Sequence, residues 1–514
     1  MNPLISFDIT IIHPTIVTFQ TIETMDEHGW VQPSFLPVHH YSLFFHIFFT
    51  RLINEHSHGK IHVIDYLNNY GYDILHLKSA ETEDCFGSVT YKRGIIMHAI
   101  EKIMARAAGK DHVSTGEIVM ADIDFAEIND LYLQTVYSFR EMEGTRVWDK
   151  DKVAFVFDHY APASTMKAAQ IHKEMRAFAK EQDFTYHFDI NAGVCHQVMP
   201  EAGLVYPGMI LLATDSHTTT HGAFGALGTG IGATDMATVL MTGKLWMRVP
   251  EVIEIRITGT PSKSVMPKDV ILHVLGKIKA DGAVYKAIEF TGDYVENLDV
   301  PGRMVLCNMA VEMGAKTAYM QPNDKVLSYL EKRVKTPFEV VHSDPDFDYA
   351  ESYHFDVEGL HPQVARPASV DNVFLLTSDK KIKVDQCFVG TCTGGRLEDL
   401  KAAADVLRGK KIARDVRLLV IPASSEVMEE AIKEGYLTDL MQAGATISTP
   451  GCGPCLGAHE GVIAPGEVCV TASNRNFPGR MGSPLGDLYL ASPRAVAASA
   501  LTGYLTNPDD LEEV

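Results

Sequence analysis

The sequence has few cysteines, a deficit of positive charge and no long apolar run. Its 514 residues include 8 cysteines, and 45 lysines and arginines stand against 66 aspartates and glutamates, a formal charge of −21. Nucleic-acid binding needs clustered basic side chains, so this balance argues against it. A transmembrane helix needs about 18 apolar residues or more. The richest apolar stretch, residues 41–49, is too short and is interrupted by His46.

The N-terminus shows no recognisable targeting leader. Residues 1–11 include Asp8 and lack the basic start of a secretory signal, and no arginine-rich transit peptide is visible. Eight scattered cysteines are too few for a disulfide scaffold and suit a reducing compartment. We therefore expect a cytoplasmic protein that does not bind membranes, in which local cations must attract any anionic substrate.

Residues 1–96 differ in composition and in hydrophobic pattern from the rest of the chain. They hold 9 of the 22 histidines and show no clear helical or strand period. From Met97 onward the pattern of residues 98–104 predicts the start of an amphipathic helix. We expect Met97 to open the globular protein, and the preceding segment to be either a genuine extension or an artefact of upstream translation.

Beyond Met97, apolar runs alternate with helical patterns, which predicts parallel α/β domains. An Asp-, Pro- and His-rich stretch over residues 343–369 is interpreted as an inter-domain linker. The glycine run over residues 222–232 lacks the spacing of a dinucleotide-binding loop, and a P-loop motif is absent. Strands are predicted at 153–157, 209–213, 252–257, 418–421 and 468–471, and helices at 165–182, 235–246, 397–406 and 427–434.

Three cysteines lie in glycine-rich loops, Cys392 in residues 390–396 and the Cys452/Cys455 pair in residues 451–455. Glycine lets the backbone approach a bulky inorganic group closely. Three thiolates would leave one iron of a four-iron cluster open to act as a Lewis acid. A four-cysteine zinc site that includes Cys387, a redox disulfide and simple buried thiols are the alternatives. The other cysteines are interpreted as packed in the core: Cys85, Cys195, Cys307 and Cys469.

Four stretches together resemble the signatures of the aconitase superfamily. They are residues 214–218 (TDSHT), Cys392-Thr393, residues 451–455 (GCGPC) and residues 473–480 (SNRNFPGR). The likeness runs from about Met97 to Pro508, and the order resembles the large subunits of 3-isopropylmalate dehydratase and homoaconitase. It implies a [4Fe–4S] cluster on Cys392, Cys452 and Cys455. It also implies three aconitase-like α/β domains around that cluster without the swivelling domain, which we place at 97–250, 251–345 and 346–514 after an atypical extension at 1–96.

The resemblance implies an enzyme that removes water from a 2-hydroxy acid, and it assigns roles to several polar residues. Asp158 and His159 would supply the proton for the departing hydroxyl, with His196, Asp215 and His217 as further acid–base groups. His221, four residues after His217, is interpreted as structural.

Further residues are assigned on the same resemblance. Asn308 and Glu312 are four apart, a spacing that puts both on one face of a helix, and Glu312 would lie near the open iron. The substrate-binding set is Asn308, Ser216, Arg475 and Arg480, and the two arginines are suited to carboxylates. Arg396 either faces the site or pairs with Glu398 or Asp399.

One catalytic group, the carbon base, is not found in the sequence. By resemblance it comes from a separate small subunit, so we expect activity only with that partner. We predict the large subunit of an iron–sulfur hydro-lyase acting on a malate derivative, 3-isopropylmalate or 2,3-dimethylmalate, with homoaconitase or methylmalate dehydratase as alternatives. Gly394 stands where many relatives have Asn, which would favour a different or more apolar substrate. Two hypotheses of other classes are an RNA-binding regulator lacking the cluster and a zinc-stabilised scaffold.

Overall fold

The computed structural model describes residues 95–511 together with four strand segments nearer the N-terminus. The chain divides into two compact units, Met1–Ile96 and Met97–Val514. In the first unit, Ser6–His13 pairs antiparallel with Ile16–Ile22, and Tyr72–Ile74 pairs antiparallel with Tyr91–Arg93. The interpretations given above for residues 41–49 and for Cys85 lie outside the described residues.

The second unit opens with the helix Ala99–Ala107, as the sequence predicts. His98 begins it with a capping box, since its side chain accepts a hydrogen bond from the backbone of Ile100 while Glu101 accepts one from the backbone N–H of His98. Such reciprocal bonds satisfy backbone donors that a helix start leaves free. The change in composition and hydrophobic pattern at Met97 therefore coincides with the beginning of the second unit.

The first sheet of this unit has five parallel strands. Its apolar strands are buried on both faces, as expected of a parallel sheet covered by helices. In spatial order the strands are Leu227–Gly230, Ile210–Ala213, Phe125–Asn129, Val153–Val156 and Tyr186–Phe188. The helices are Leu133–Glu141, Met166–Gln182, Cys195–Glu201 and Ala233–Thr242, with the 3₁₀ helix Ser216–Phe224.

The helix predicted over 235–246 is wrong in its last turn. It ends at Thr242 because Gly243 adopts a left-handed conformation with φ of 68°. Lys244–Arg248 then forms a strand whose side chains alternate between exposed and buried, paired antiparallel with Ile118–Asp122. Period-two alternation, which favours a strand, outweighs the helical pattern before it.

The second sheet has four parallel strands. One of them, Glu351–Asp356, lies within the predicted linker 343–369, so that interpretation is wrong. Every other side chain of this strand is exposed, which gives it a loop-like composition, while Tyr353 and Phe355 pack against the core. The strand order is Thr317–Tyr319, Ala287–Thr291, Val252–Thr258 and Glu351–Asp356, and the helices are Pro267–Ile278, Asp293–Asn297, Val300–Met309 and Asp324–Glu331, with the 3₁₀ turn Ala310–Met313.

The third sheet has seven strands, of which five consecutive ones are parallel. Two short strands extend one edge in the antiparallel sense. The order is Val373–Leu375, Gln363–Ala365, Asp487–Leu490, Val468–Thr471, Gln386–Val389, Arg417–Val420 and Thr446–Ile447. The helices are Leu397–Leu407, Ser425–Lys433, Tyr436–Ala443 and Pro493–Thr502, and a ribbon pairs Asp379–Lys383 with Tyr504–Leu505.

The predicted α/β class is confirmed by these three sheets and their helices. Each strand predicted from an apolar run is present, with ends shifted by a few residues. None of the helices in the described residues combines the length and apolarity that crossing a membrane requires.

Candidate active site

Polar side chains of the first sheet gather where its parallel strands end. Asp158 and His159 follow the strand Val153–Val156, and Asp215 follows Ile210–Ala213. Carboxyl ends of parallel strands meet at one edge, which is where α/β proteins place their ligands. We call this group the acid–histidine side; it consists of Asp158, His159, His196, Asp215 and His217.

The third sheet contributes cysteines from the same kind of edge. Cys392 follows the strand Gln386–Val389, and Asn474 follows Val468–Thr471. Cys452 directly precedes the 3₁₀ turn Gly453–Leu456, and Cys455 lies within it. Gly453 has a positive φ of 53°, and a Cβ there would lie 2.2 Å from Cδ1 of Ile421. We call Cys392, Cys452 and Cys455 the thiol side.

Both sides line one cavity of about 300 Å³. Its wall also includes an arginine from the 473–480 motif and an amide. The lining residues are Asp158, His159, Val194, Cys195, His196, Asp215, His217, Thr391, Cys392, Cys452, Cys455, Asn474 and Arg480.

Asp158 fixes the orientation of the His159 ring. Its Oδ1 lies 2.6 Å from Nδ1 of His159, and its Oδ2 accepts a 2.8 Å hydrogen bond from the backbone N–H of Cys195. The backbone carbonyl of Asp158 accepts a 2.8 Å bond from the N–H of Cys452, which joins the two sides of the cavity. Burial lowers the pKa of His159, but the charge of Asp158 and the hydrogen bonds to Asp158 and Asp215 hold that pKa well above 6.5.

Asp215 contacts all three histidines of the acid–histidine side. Its Oδ1 lies 3.0 Å from Nε2 of His196 and accepts a 2.7 Å bond from the backbone of His217, while Oδ2 is 3.5 Å from Nε2 of His159. Burial raises the pKa of Asp215, yet the hydrogen bonds from these three residues outweigh it and hold the pKa well below 3.8. The carboxylate is therefore ionised and satisfied by its neighbours.

Glu312 extends this network towards the arginines. Its Oε1 is 2.7 Å from Nε2 of His217 and accepts a 2.8 Å bond from Nε of Arg475, whose Nη2 donates to Ser216 Oγ at 3.1 Å. Burial raises the pKa of Glu312, but its interactions with His217 and Arg475 outweigh this and lower it. Asn308 and Glu312 do not share one α-helix as predicted, because the helix ends at Met309 and Glu312 lies in the 3₁₀ turn after it.

The sulfur atoms receive hydrogen bonds from amides and from a guanidinium. Nδ2 of Asn308 is 3.1 Å and Nδ2 of Asn474 3.3 Å from Sγ of Cys392, and Nη2 of Arg480 is 3.6 Å from Sγ of Cys455. Burial raises the pKa of Cys392 to about 12. Donors that converge on a buried thiol suit a thiolate, and a thiolate there needs a bound cationic group to be stable.

This donor set fits an iron–sulfur cluster on three cysteines better than the zinc alternative. Cys387 lies within the strand Gln386–Val389 and is buried in the hydrophobic core of the third sheet, away from the cavity. Cys307 and Cys469 are also buried free thiols. Cys452 and Cys455 are free rather than disulfide-bonded. Of the four cysteines that line the cavity, Cys195 lies beside His196 on the acid–histidine side, whereas Cys392, Cys452 and Cys455 form the thiol side.

Two ambiguous positions receive physical explanations from the structure. Arg396 turns towards the thiol side: its Nη1 donates to the carbonyl of Cys392 at 2.6 Å and its Nε to Gln197 at 2.9 Å. At Gly394, a Cβ would lie 2.3 Å from the Cβ of Ala472, so no side chain fits. Gly394 is not among the residues that line the cavity.

All thirteen residues assigned to the site in the sequence are brought into one contiguous network. Sequence reasoning missed four others. Asn474 lies inside the 473–480 motif and could have been found there, and Thr391 is next to Cys392. Glu127, on the strand beneath the acid–histidine side, and Lys268, on a helix beside the second sheet, have no local signal, since each looks like an ordinary charged residue in its element.

Comparisons with known proteins agree with this geometry. The aconitase family (aconitate hydratase) matches residues 101–503. The chain is 49% identical to the probable methanogen homoaconitase large subunit of Methanothermobacter thermautotrophicus over 80% of this chain and 97% of that protein. It is 52% identical to 3-isopropylmalate dehydratase large subunit 1 of Methanopyrus kandleri, over 79% and 98%.

A third relative is also named as a large subunit of this kind. The 3-isopropylmalate dehydratase large subunit of Aquifex aeolicus is 43% identical over 81% of this chain and 98% of that protein. The family match covers most of the chain and spans both sides of the cavity. The chain therefore belongs to the aconitase family.

Proposed function

We propose that this chain is the large subunit of an iron–sulfur hydro-lyase that removes water from, and adds it to, a 2-hydroxy dicarboxylate of the malate type. The observation that carries the proposal is the single cavity in which three thiols face two acid–histidine pairs. Relatives at 52% and 49% identity are named as 3-isopropylmalate dehydratase and homoaconitase large subunits. The preferred substrates are 3-isopropylmalate and 2,3-dimethylmalate, and homocitrate-type or methylmalate substrates are the alternatives.

The thiol side would hold a [4Fe–4S] cluster through Cys392, Cys452 and Cys455. When bound, a cluster with one iron lacking a protein ligand supplies a Lewis acid, which weakens the bond between carbon and the departing hydroxyl. The amides of Asn308 and Asn474 would hydrogen-bond to the Cys392 sulfur in that state, as they do to its thiol here. Hydrogen bonds to cluster sulfurs tune such centres.

The acid–histidine side would supply the proton that lets hydroxide leave as water. Asp158 binds Nδ1 of His159, so Nε2, which lies 3.5 Å from Oδ2 of Asp215, is the ring nitrogen that would exchange a proton within the cavity. Because the Asp158 carboxylate is itself fixed by the Cys195 N–H, the ring cannot easily rotate away. A positioned acid of this kind contributes about 10²- to 10⁴-fold to a rate.

The two arginines would hold the substrate carboxylates. Arg480 lines the cavity, and its Nε has no hydrogen-bond partner among the described residues. Arg475 keeps one side of its guanidinium on Glu312 and Ser216. Guanidinium groups bind carboxylates in a planar, paired geometry and remain charged when buried. They therefore supply the local cations that an acidic chain needs for an anionic substrate.

The base that removes the carbon-bound proton would come from a small partner subunit. The relatives at 52% and 49% identity are named as large subunits, which supports a separate small subunit as the source of this base. We therefore expect turnover only in the assembled complex, and we expect the partner to carry part of the substrate specificity.

Anaerobic co-purification with the small subunit tests the proposal. We expect about four irons and four sulfides per large subunit, and alkene absorbance on adding one of a panel of 2-hydroxy dicarboxylates. The large subunit alone serves as the matched control and should bind the cluster without turnover. Material that contains zinc, or that turns over without the partner, contradicts the proposal.

A further inference from the structure

A buried lysine lies behind the thiol side. Lys268 is in the first turn of the helix Pro267–Ile278 and has no solvent exposure. Its ammonium donates to Thr393 Oγ1 at 3.1 Å and to the carbonyls of Ala472 at 3.2 Å and Ser473 at 2.6 Å. Burying an ammonium is costly unless its protons are satisfied, and here all three have acceptors.

The three acceptors belong to the two loops that carry the sulfur and its amide donor. Thr393 directly follows Cys392, and Ser473 directly precedes Asn474. A single ammonium on a helix beside the second sheet therefore joins both loops of the third sheet. Thr393 adds a bond between these loops, because its hydroxyl donates to the Ala472 carbonyl at 2.9 Å.

The charge of Lys268 also bears on the thiol side. The guanidinium of Arg396 already contacts the carbonyl of Cys392 at 2.6 Å, so the Cys392 loop touches two buried cations. Burial lowers the pKa of Lys268 to about 8, against the opposing influence of Cys392, Asp399 and Cys455. At neutral pH the ammonium is thus mainly charged.

We propose that Lys268 is a positioning residue for the cofactor: it fixes the Cys392 and Asn474 loops relative to each other and compensates the negative charge of the thiolates when the cluster is bound. The inference rests on the proposed function. A nearby cation stabilises the reduced, more negative form of a redox centre, so Lys268 raises the midpoint potential of the cluster. Fixed loops also retain iron longer, since residues that support metal ligands commonly affect metal affinity about 10- to 100-fold.

A purely structural role for Lys268 gives a different expectation. A methionine has nearly the same length and avoids the cost of burying a charge, so it could fill the space equally well. In that case the potential of the cluster would not depend on residue 268. The potential therefore separates the two roles.

The experiment compares Lys268→Met with wild type in the anaerobic holo-complex. The control is Lys277→Met, which removes an exposed lysine from the same helix and changes the net charge equally. We expect a more negative midpoint potential in an EPR-monitored titration, and iron release to a chelator at least about 10-fold faster than wild type. Lys277→Met should match wild type in both measurements.

A second variant keeps the test decisive if Lys268→Met fails to fold. Thr393→Val keeps the lysine charge but removes one acceptor of the ammonium, together with the bond from the Thr393 hydroxyl to the Ala472 carbonyl. We expect faster iron release with a potential close to that of wild type. Wild-type values of both quantities in Lys268→Met, or wild-type iron release in Thr393→Val, overturn the inference. A wild-type complex without iron and sulfide overturns the proposed function as well.

Discussion

The two sides of the cavity differ in how their buried polar groups are compensated. On the acid–histidine side, both carboxylates meet a histidine of this chain, as Asp158 does with His159 and Asp215 with His196. On the thiol side, hydrogen-bond donors converge on the sulfur of Cys392, and burial raises the pKa of that thiol to about 12. The first side is electrostatically complete within the chain, whereas the second is complete only with a bound cationic group. One cavity thus combines a preformed acid–base network with a site for a cofactor.

The largest expected effect comes from removing a thiol. In Cys455→Ser we expect loss of bound iron and a fall in activity of at least about 10³-fold, because the Lewis acid accounts for several kcal/mol of the barrier. Cys387→Ala is the matched control, since Cys387 is buried in the core of the third sheet and does not line the cavity. Iron analysis measures the bound iron of each variant, and turnover of the complex measures its activity. Equal iron content in the two variants would contradict the division between cavity and core cysteines.

The next effect comes from the acid–histidine side. In Asp158→Asn the amide oxygen can still accept from Cys195, which turns the NH₂ group towards Nδ1 of His159 and favours the wrong ring tautomer. We expect kcat to fall by about 10²- to 10⁴-fold while iron content stays at the wild-type level. Asp189→Asn, which removes a surface partner of Arg176, is the control. A variant that loses iron in parallel with activity would show that the two sides are not separable.

A smaller effect is expected at the arginines. Arg475→Lys keeps the charge but cannot donate to Glu312 and Ser216 and also bind a carboxylate in a planar geometry. Loss of a charge-assisted bond of about 1.5–3 kcal/mol should raise KM about 10- to 100-fold. Steady-state kinetics of the complex measure KM. The control is Arg408→Lys, because Arg408 forms an exposed ion pair with Asp439. An unchanged KM would remove Arg475 from substrate binding.

The smallest effect concerns Glu127, which lies beneath the acid–histidine side. It is buried, and neither carboxyl oxygen has a hydrogen-bond partner in the described part of the chain. Burial, and then the charges of Asp158 and Asp215, raise its pKa well above 4.5. The folded protein therefore binds a proton that the unfolded chain releases, so wild type loses stability as pH rises from 4.5 through the raised pKa.

The substitution Glu127→Gln tests this, because an amide imitates the protonated acid at every pH. We expect its melting temperature relative to wild type to increase as pH is raised from about 5 to about 9. Glu117→Gln is the control, since the hydrogen bond from Lys110 lowers the pKa of Glu117. Glu117 is therefore ionised in both the folded and the unfolded chain over this pH range, and the difference between Glu117→Gln and wild type should not vary with pH. A difference between Glu127→Gln and wild type that does not vary with pH would show that Glu127 is not protonated in the fold.

The sequence pointed to residues that line the cavity more readily than it pointed to the strand Glu351–Asp356. Asp158, His159 and Cys392 were found because each follows an apolar strand within a recognisable motif, and motif spacing is local information. The strand Glu351–Asp356 was missed because half of its side chains are exposed, and only pairing with Val252–Thr258 makes it a strand. Asn308 contacts Cys392 and Glu312 contacts His217, although the α-helix ends between them and Glu312 lies in a 3₁₀ turn.

The amino-acid sequence by itself indicated the α/β class through its periodicity, and its resemblance to the aconitase superfamily singled out Cys392, Cys452 and Cys455 and the acid–histidine motifs. Only the tertiary structure decided that Cys387 lies apart from the other thiols, that Gly394 packs against Ala472, and that Lys268 reaches two loops. The last contact joins residues more than 200 positions apart in the chain. Such contacts arise from how sheets and helices pack, and no local pattern encodes them.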